Sequence, residues 1–310
     1  MRIFEIRNQK SEVRDQKLEV NAYLRLFIIL TVFLVPCILF PNFVSMNYGA
    51  RSMAMGSSYT ALVDDPTAIF INPAGLSKTK RISLALSHQN LYGITDLYNE
   101  MAAISVPIPY STIGLGYTTI NLLDVYAESI FHFSAASKVN ILNYPLNFGF
   151  TLKYFMTQVN GYDISNFTQT VLPAETPSGF GFDLGLLFDV NKDLSLGLSG
   201  HNLNEPKFSF ISEEDKLMWN FSAGICYNWR NSVNFLADYV WNSDDSHCNL
   251  GGEMWFYNVF AARIGVKGDR LTAGFGLKTK IWSLDGAVLS NNELGSTYRI
   301  SLGWKFGRKK

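Results

Sequence analysis

Thr297–Phe306 reads TYRISLGWKF, and two different faces alternate along it. Tyr298, Ile300, Leu302, Trp304 and Phe306 fall on one side of an extended chain, and Arg299, Ser301, Gly303 and Lys305 on the other. Arg270–Lys278 repeats the pattern, with Leu271, Ala273, Phe275 and Leu277 opposite Thr272, Gly274, Gly276 and Lys278. In Gly179–Val190 the residues Phe180, Phe182, Leu184, Leu186 and Phe188 oppose Gly181, Asp183, Gly185 and Asp189. A period of two over so many residues is a strand signal.

Working outward, fourteen such segments follow Arg81: 82–88, 99–107, 111–120, 126–135, 145–157, 179–190, 193–200, 217–228, 232–242, 246–257, 259–267, 270–279, 281–289 and 296–306. Most approach the roughly 9–11 residues that a tilted membrane-spanning strand needs. No helical stretch separates them, so the expected topology is an all-β, up-and-down antiparallel transmembrane barrel. The connections support it independently. The long ones, about 89–98, 158–178 and 201–216, are the first, fifth and seventh. Among the even ones, Asn191-Lys192, Trp229–Asn231, Tyr257-Asn258 and the break near Lys280 are tight, and the fourth, Ser137–Tyr144, is of moderate length. Short turns on one side and long loops on the other are the habit of outer-membrane barrels.

A fourteen-strand barrel is wider than the eight-strand barrel that side chains alone can fill. The Leu/Phe/Trp/Tyr face is therefore expected to meet hydrocarbon. Lys153, Asp183, Asp238, Glu253, Arg263, Lys278, Asp285 and Arg299 are expected to line the lumen and to pair with one another or with backbone inside it; a selectivity role is the alternative. The opposite register would expose each Arg or Lys to lipid at about 2–4 kcal/mol near the midplane. Trp219, Tyr227, Tyr239, Trp241, Trp282, Tyr298 and Trp304 stand near strand ends, where interfacial girdles form. The competing fold is a soluble sandwich or propeller, which needs polar outer faces. A charged content of 17% against 47% hydrophobic residues argues against it.

The 310 residues carry 26 basic and 26 acidic side chains, a balance that excludes a basic nucleic-acid binder, and no nucleic-acid partner is expected. Three cysteines, Cys37, Cys226 and Cys248, are too few for a disulfide scaffold. Leu26–Phe40, LFIILTVFLVPCILF, is apolar over fifteen residues and interrupted by Pro36. It is too short to span a bilayer and reads as the core of an export signal covering 1–45, with an uncleaved anchor as the alternative. Removing its six basic and four acidic residues leaves 20 and 22. An exported barrel implies the cell outer membrane, its lipid and the barrel assembly machinery as partners.

Residues 46–81 break the alternation: MNYGARSMAMGSSYTALVDDPTAIFINPAGLSKTKR. Gly49, Gly56 and Gly75 permit tight backbone paths. Asp65-Pro66 reads as a helix N-cap with proline at the first helical position, opening a short helix through Phe70 that Asn72-Pro73-Ala74-Gly75 stops. The segment is expected inside the barrel as a plug, leaving 82–310 for the wall, and inward glycines such as Gly114, Gly116, Gly274 and Gly276 are expected to make room for it.

GARSMAMGSSYTALVDDPTAIFINPAGLS resembles the N-terminal signature of the PorV/PorQ outer-membrane family, itself related to FadL-type fatty-acid transporters. GVKGDRLTAGFGLKTKIWSLDGAVLSNNELGSTYRISLGWKF is similar to the end of the same family. The resemblance implies a fourteen-strand barrel with an N-terminal hatch bearing the Asn-Pro-Ala motif at Asn72, Pro73 and Ala74. It implies one of two roles: passage of hydrophobic small molecules past the hatch, often toward a side opening, or delivery and anchoring of secreted proteins. The hatch residues are then Asp65, Asn72, Pro73, Ala74 and Gly75. The C-terminus departs from the pattern, since Gly307-Arg308-Lys309-Lys310 follows Phe306.

No catalytic, metal or cofactor site is expected. There is no G-x-S-x-G nucleophile elbow. His88, His132, His201 and His247 form no ligand pair, and Asp244, Asp245, His247 and Cys248 read as a turn between strands. Cys226 and Cys248 fall on segments that are not neighbours, which argues against a bridge. The expected function is a hydrophobic-compound channel opened by displacement of Asn72–Gly75, with protein secretion as the alternative.

Overall fold

In a computed structural model the chain divides into two units, Met1–Phe40 and Pro41–Lys310. The structure describes residues 48–122, 126–141, 144–159, 162–163, 171–172, 176–209, 214–243, 245–291 and 294–307, so the expected export signal lies outside the described residues.

Fourteen antiparallel strands make a closed barrel. They are β1 (Ile82–Asn90), β2 (Leu97–Ile108), β3 (Ser111–Leu122), β4 (Tyr126–Ile141), β5 (Tyr144–Val159), β6 (Ser178–Asp189) and β7 (Leu194–His201). There follow β8 (Asn220–Trp229), β9 (Val233–Asn242), β10 (Ser246–Phe256), β11 (Phe260–Lys267), β12 (Arg270–Lys278), β13 (Trp282–Leu289) and β14 (Thr297–Phe306). Each pairs with the next, and β14 returns to β1 from Ile82↔Phe306 to Asn90↔Tyr298. Every segment read from the sequence holds one of these strands. The fourth connection is corrected: β4 runs on to Ile141 and β5 restarts at Tyr144, so it is tight like the other even ones. Arg230-Asn231 and Tyr257-Asn258 all have φ between 51° and 56°, the left-handed pairs that suit a tight hairpin.

The register never slips along any of the fourteen pairs, so the described wall contains no bulge. The side opening implied by the resemblance is absent from these described ladders. An unbroken ladder keeps backbone N–H and C=O groups paired, as hydrocarbon requires.

Burial runs opposite to that of a water-soluble protein. Outward Phe180, Ile264 and Leu271 are 71%, 66% and 62% exposed, whereas inward Asp183, Glu253 and Arg263 are 1%, 1% and 4% exposed. An apolar surface this continuous marks a face that meets a membrane or a partner. Among the described residues no helix is long and apolar enough to cross a membrane, which says nothing about strands.

The core lies between the inner wall and the N-terminal segment. Met55, Tyr59, Val63, Ile69, Phe70 and Leu76 pack with Met101, Ala103, Leu187 and Leu236 of the wall. The segment contains helix α1 (Ala50–Ala54), helix α2 (Ala68–Ile71) and a 3₁₀ helix at Pro73–Lys78. Helix α1 packs on β12, β13 and β14, and the 3₁₀ helix on β4, β5 and β6. Asp65 does not cap α2, which starts later, at Ala68 after Thr67. Its Oδ1 instead accepts from Thr67 N at 2.8 Å, closing an Asx turn that Pro66 preorganises. The chain does leave α2 at Asn72, which is extended and becomes the N-cap of the 3₁₀ helix, with Pro73 at its first position.

Candidate functional site

Three sets of contacts hold the segment in the lumen. The first lies toward the tight-turn end of the barrel. Register places Asn234, Glu253 and Arg263 side by side across β9, β10 and β11. Arg51 of α1 donates to both Glu253 oxygens, Nε to Oε1 at 2.8 Å and Nη2 to Oε2 at 2.9 Å. Arg263 Nε (3.0 Å) and Asn234 Nδ2 (2.9 Å) donate to the same carboxylate. Arg263 then reaches across β12 to Asp285 on β13, Nη1 to Oδ1 at 2.7 Å. It can do so because a Cβ on Gly276 would sit 2.5 Å from its Nη2.

Arg51 also donates to Tyr59 Oη and Asp64 Oδ1, each at 2.7 Å, and Tyr59 Oη donates to Asp65 at 3.0 Å. Burial pushes the Tyr59 phenol well above its ordinary range, so it stays a neutral donor. Burial opposes the charge on Arg51, but Glu253, Tyr59 and Asp64 outweigh it and hold the guanidinium well above its usual value.

The second set is central. Asp238 Oδ2 accepts from the backbone N–H of both Tyr59 and Thr60 at 2.9 Å. Asn72 Nδ2 donates to Thr60 O at 2.9 Å and to Leu186 O on β6 at 3.1 Å. Its Oδ1 accepts from Ala74 N at 3.2 Å, so one side chain ties the segment to itself and to the wall. Glycines allow this approach: a Cβ on Gly149 would lie 2.5 Å from the Pro73 carbonyl carbon, and one on Gly185 2.1 Å from Asn72 Oδ1. Pro73, Ala74 and Gly75 are buried beside Asn72, with Gly75 against Val63.

The third set faces the long-loop end. Lys153 Nζ lies 2.6 Å from Asp183 Oδ1, and His201 Nδ1 3.0 Å from Asp183 Oδ2. His201 Nε2 stands 3.0 Å from Ile71 O, linking this cluster to the segment. Arg299, near the same end, donates to Gln89 and Asn99 on the two strands that follow it around the barrel.

Of the eight charged residues expected in the lumen, seven fall into these groupings. Lys278 instead places its Nζ 3.5 Å from the centre of the inward Trp255 ring. Sequence reasoning missed Arg51, Asn234 and His201: Arg51 meets Glu253 202 positions on and His201 meets Ile71 130 positions back, while Asn234 meets Glu253 through the pairing of β9 with β10. Asp244 lies outside the described residues, and Cys248 faces outward while His247 faces inward.

A cavity of about 590 Å³ opens on the long-loop side of the segment. Phe70, Ile130, Phe155, Phe208 and Val240 supply apolar lining, and Glu128, Lys153, Asp183, His201, Lys216 and Asp238 the titratable groups. A hollow of similar volume lies on the outward face across β1–β6, lined by Leu84, Ile104, Leu115, Phe131 and Phe180. His132 and Lys153 border both, so one row of wall residues, Gly116, His132, Lys153 and Gly181, separates them.

The fold is similar to that of a Pseudomonas aeruginosa FadL homologue, with TM-score 0.60 and 12% identity over 86% of this chain and 100% of the other. It is similar to the CymD monoaromatic hydrocarbon channel, with TM-score 0.61, 12% identity and coverage of 86% and 100%. The Pseudomonas putida toluene transporter TodX gives TM-score 0.59, 13% identity and coverage of 84% and 98%. No curated protein matches the sequence. The profile of the family described as "F plasmid transfer operon, TraF, protein" matches residues 117–286, more than half of the chain, and the chain belongs to that family.

Proposed function

We propose that the chain is an outer-membrane channel of the FadL type that admits a hydrophobic small molecule past its N-terminal segment. The carrying observation is the 590 Å³ cavity, walled by Phe70, Ile130, Phe155 and Phe208 and floored by the segment. Its size and apolar lining suit a small organic ligand. In this reading residues 1–45 direct export, the assembly machinery inserts the barrel, and lipid covers the outward face. Residues 46–81 act as the hatch, with Asn72–Gly75 as the part that shifts. The unbroken wall favours passage along the barrel axis over exit between strands.

Deleting residues 60–76 removes the cavity floor together with Asn72. Uptake of toluene-sized aromatic compounds by cells carrying the deletion is expected to change severalfold, with barrel insertion checked by heat-modifiable gel mobility. Unchanged uptake with an inserted barrel contradicts hatch gating.

The second reading is a component that shuttles or anchors secreted proteins, without a small-molecule cargo of its own. The likeness of GARSMAMGSSYTALVDDPTAIFINPAGLS to PorV/PorQ favours it, as does a family description that names a transfer operon. Under it, affinity capture from solubilised membranes recovers exported proteins, and no aromatic compound competes.

A further inference from the structure

His201 closes β7 and stands between two acceptors. Its Nδ1 lies 3.0 Å from Asp183 Oδ2, and its Nε2 3.0 Å from the carbonyl oxygen of Ile71, the residue before Asn72. A backbone carbonyl accepts and never donates, so Nε2 must carry a hydrogen. Asp183 is an ionised acceptor as well, since its Oδ1 already takes the Lys153 ammonium at 2.6 Å and the Asn202 N–H at 2.8 Å. Nδ1 must then carry a hydrogen too. A neutral imidazole has one N–H and an imidazolium two. The docked geometry calls for the imidazolium.

Removing one proton acts on the segment rather than on the wall. The carboxylate is the stronger acceptor and keeps the N–H at Nδ1. Nε2 then turns a lone pair toward Ile71 O, and a bond that held the segment becomes a repulsion between two acceptors. The charged and titratable groups around the ring are Asp183 on β6, Lys153 behind it on β5, His132 on β4, and Tyr48 of the segment beside Asp183. Strand β8 opposes His201 with Asn220, which brings no charge, and Glu128, Lys216 and Asp238 line the same cavity. His132 is the other histidine of the group, but its Nε2 meets Thr118 of the wall, and its ring stands edge-on to Phe70. Of the two, only His201 holds a backbone acceptor of the segment.

We propose that His201 is a positioning residue of the N-terminal segment and holds Ile71 only as an imidazolium, so that one proton latches the segment in the lumen. The docked form carries a proton that the released form does not need, so docking is strongest in acid and weakens as pH rises. The inference goes beyond the channel reading and does not rest on it, since it concerns how the segment is held, whatever passes. The test uses the full chain in lipid nanodiscs, labelled with ¹⁵N-histidine. Four histidines give few ring signals, and His201→Gln, which keeps an N–H donor but cannot titrate, assigns the one that matters. At about pH 6, His201 is expected to show two protonated ring nitrogens. Release is read by trypsin cleavage after Arg51, divided by the rate for His201→Gln at the same pH to cancel the protease's own response. That ratio is expected to rise about tenfold between roughly pH 6 and pH 9, the shift one linked proton gives over about one pH unit. A flat ratio, or a singly protonated His201 in the docked form at the acid end, overturns the latch and leaves the channel reading standing.

Discussion

Gly149→Val and Gly185→Val are expected to expel the N-terminal segment from a barrel that stays closed. A Cβ at either position runs into the segment itself: the Pro73 carbonyl at 2.5 Å, or Asn72 Oδ1 at 2.1 Å. Neither obstacle is the loose end of a flexible side chain, because Asn72 is fixed by three hydrogen bonds. Overpacking of this kind costs about 1–3 kcal/mol. That is a roughly 5- to 150-fold shift from docked to released segment. The readout is trypsin cleavage after Arg51, which in the native arrangement is gripped by Glu253, Tyr59 and Asp64. Gly252→Val is the control, since that glycine faces outward and its Cβ would meet nothing closer than Ile264 at 3.9 Å. Cleavage unchanged in both inward variants, or raised equally by the control, contradicts the close packing described here.

Glu253→Ala is expected to cost about 3–5 kcal/mol, the usual penalty for stripping one partner from a buried ion pair. Glu253 is wholly enclosed and takes hydrogen bonds from Arg51, Arg263 and Asn234. Its loss leaves two guanidinium groups facing each other, with Asp285, Asp64 and Asp65 the remaining acidic partners among the described residues. Arg51→Met leaves Glu253 paired with Arg263, so its cost is smaller. Thermal unfolding followed by heat-modifiable mobility is expected to rank Glu253→Ala well below Arg51→Met, and Arg51→Met below the native chain. Equal midpoints for the two variants contradict the shared role assigned to Glu253.

The barrel was legible because a strand between lipid and lumen must alternate at every second residue, as Thr297–Phe306 does without exception. Legibility failed where the alternation has no reason to persist. The end of β4, Ser137-Lys138-Val139-Asn140-Ile141, carries polar residues in sequence and continues as strand anyway. Helix α1 was missed for a different reason. Four of its five residues, Ala50, Ser52, Met53 and Ala54, are buried, so a helix this short leaves no helical period to read. The inward glycines carried part of the site in plain view: Gly114 and Gly116 lie against Ile69 and Phe70 of the segment, and Gly274 against Ala54. Gly276 gives way to Arg263 instead, which no local pattern foretells. The hold on Ile71 by His201 and on Tyr59 by Asp238 joins residues more than a hundred positions apart, and only the docking of the segment in the lumen brings them together.

All of this depends on which face of each strand meets lipid. Nitroxide labels placed one at a time from Leu271 to Lys278 on β12, in bilayers, measure it through collision with oxygen and with a water-soluble nickel chelate. Positions 271, 273, 275 and 277 should show high oxygen and low nickel accessibility, and 272, 274, 276 and 278 low oxygen accessibility, in strict alternation. High nickel accessibility at Leu271, Ala273 and Phe275, or no alternation at all, would show that the apolar face does not look into a membrane.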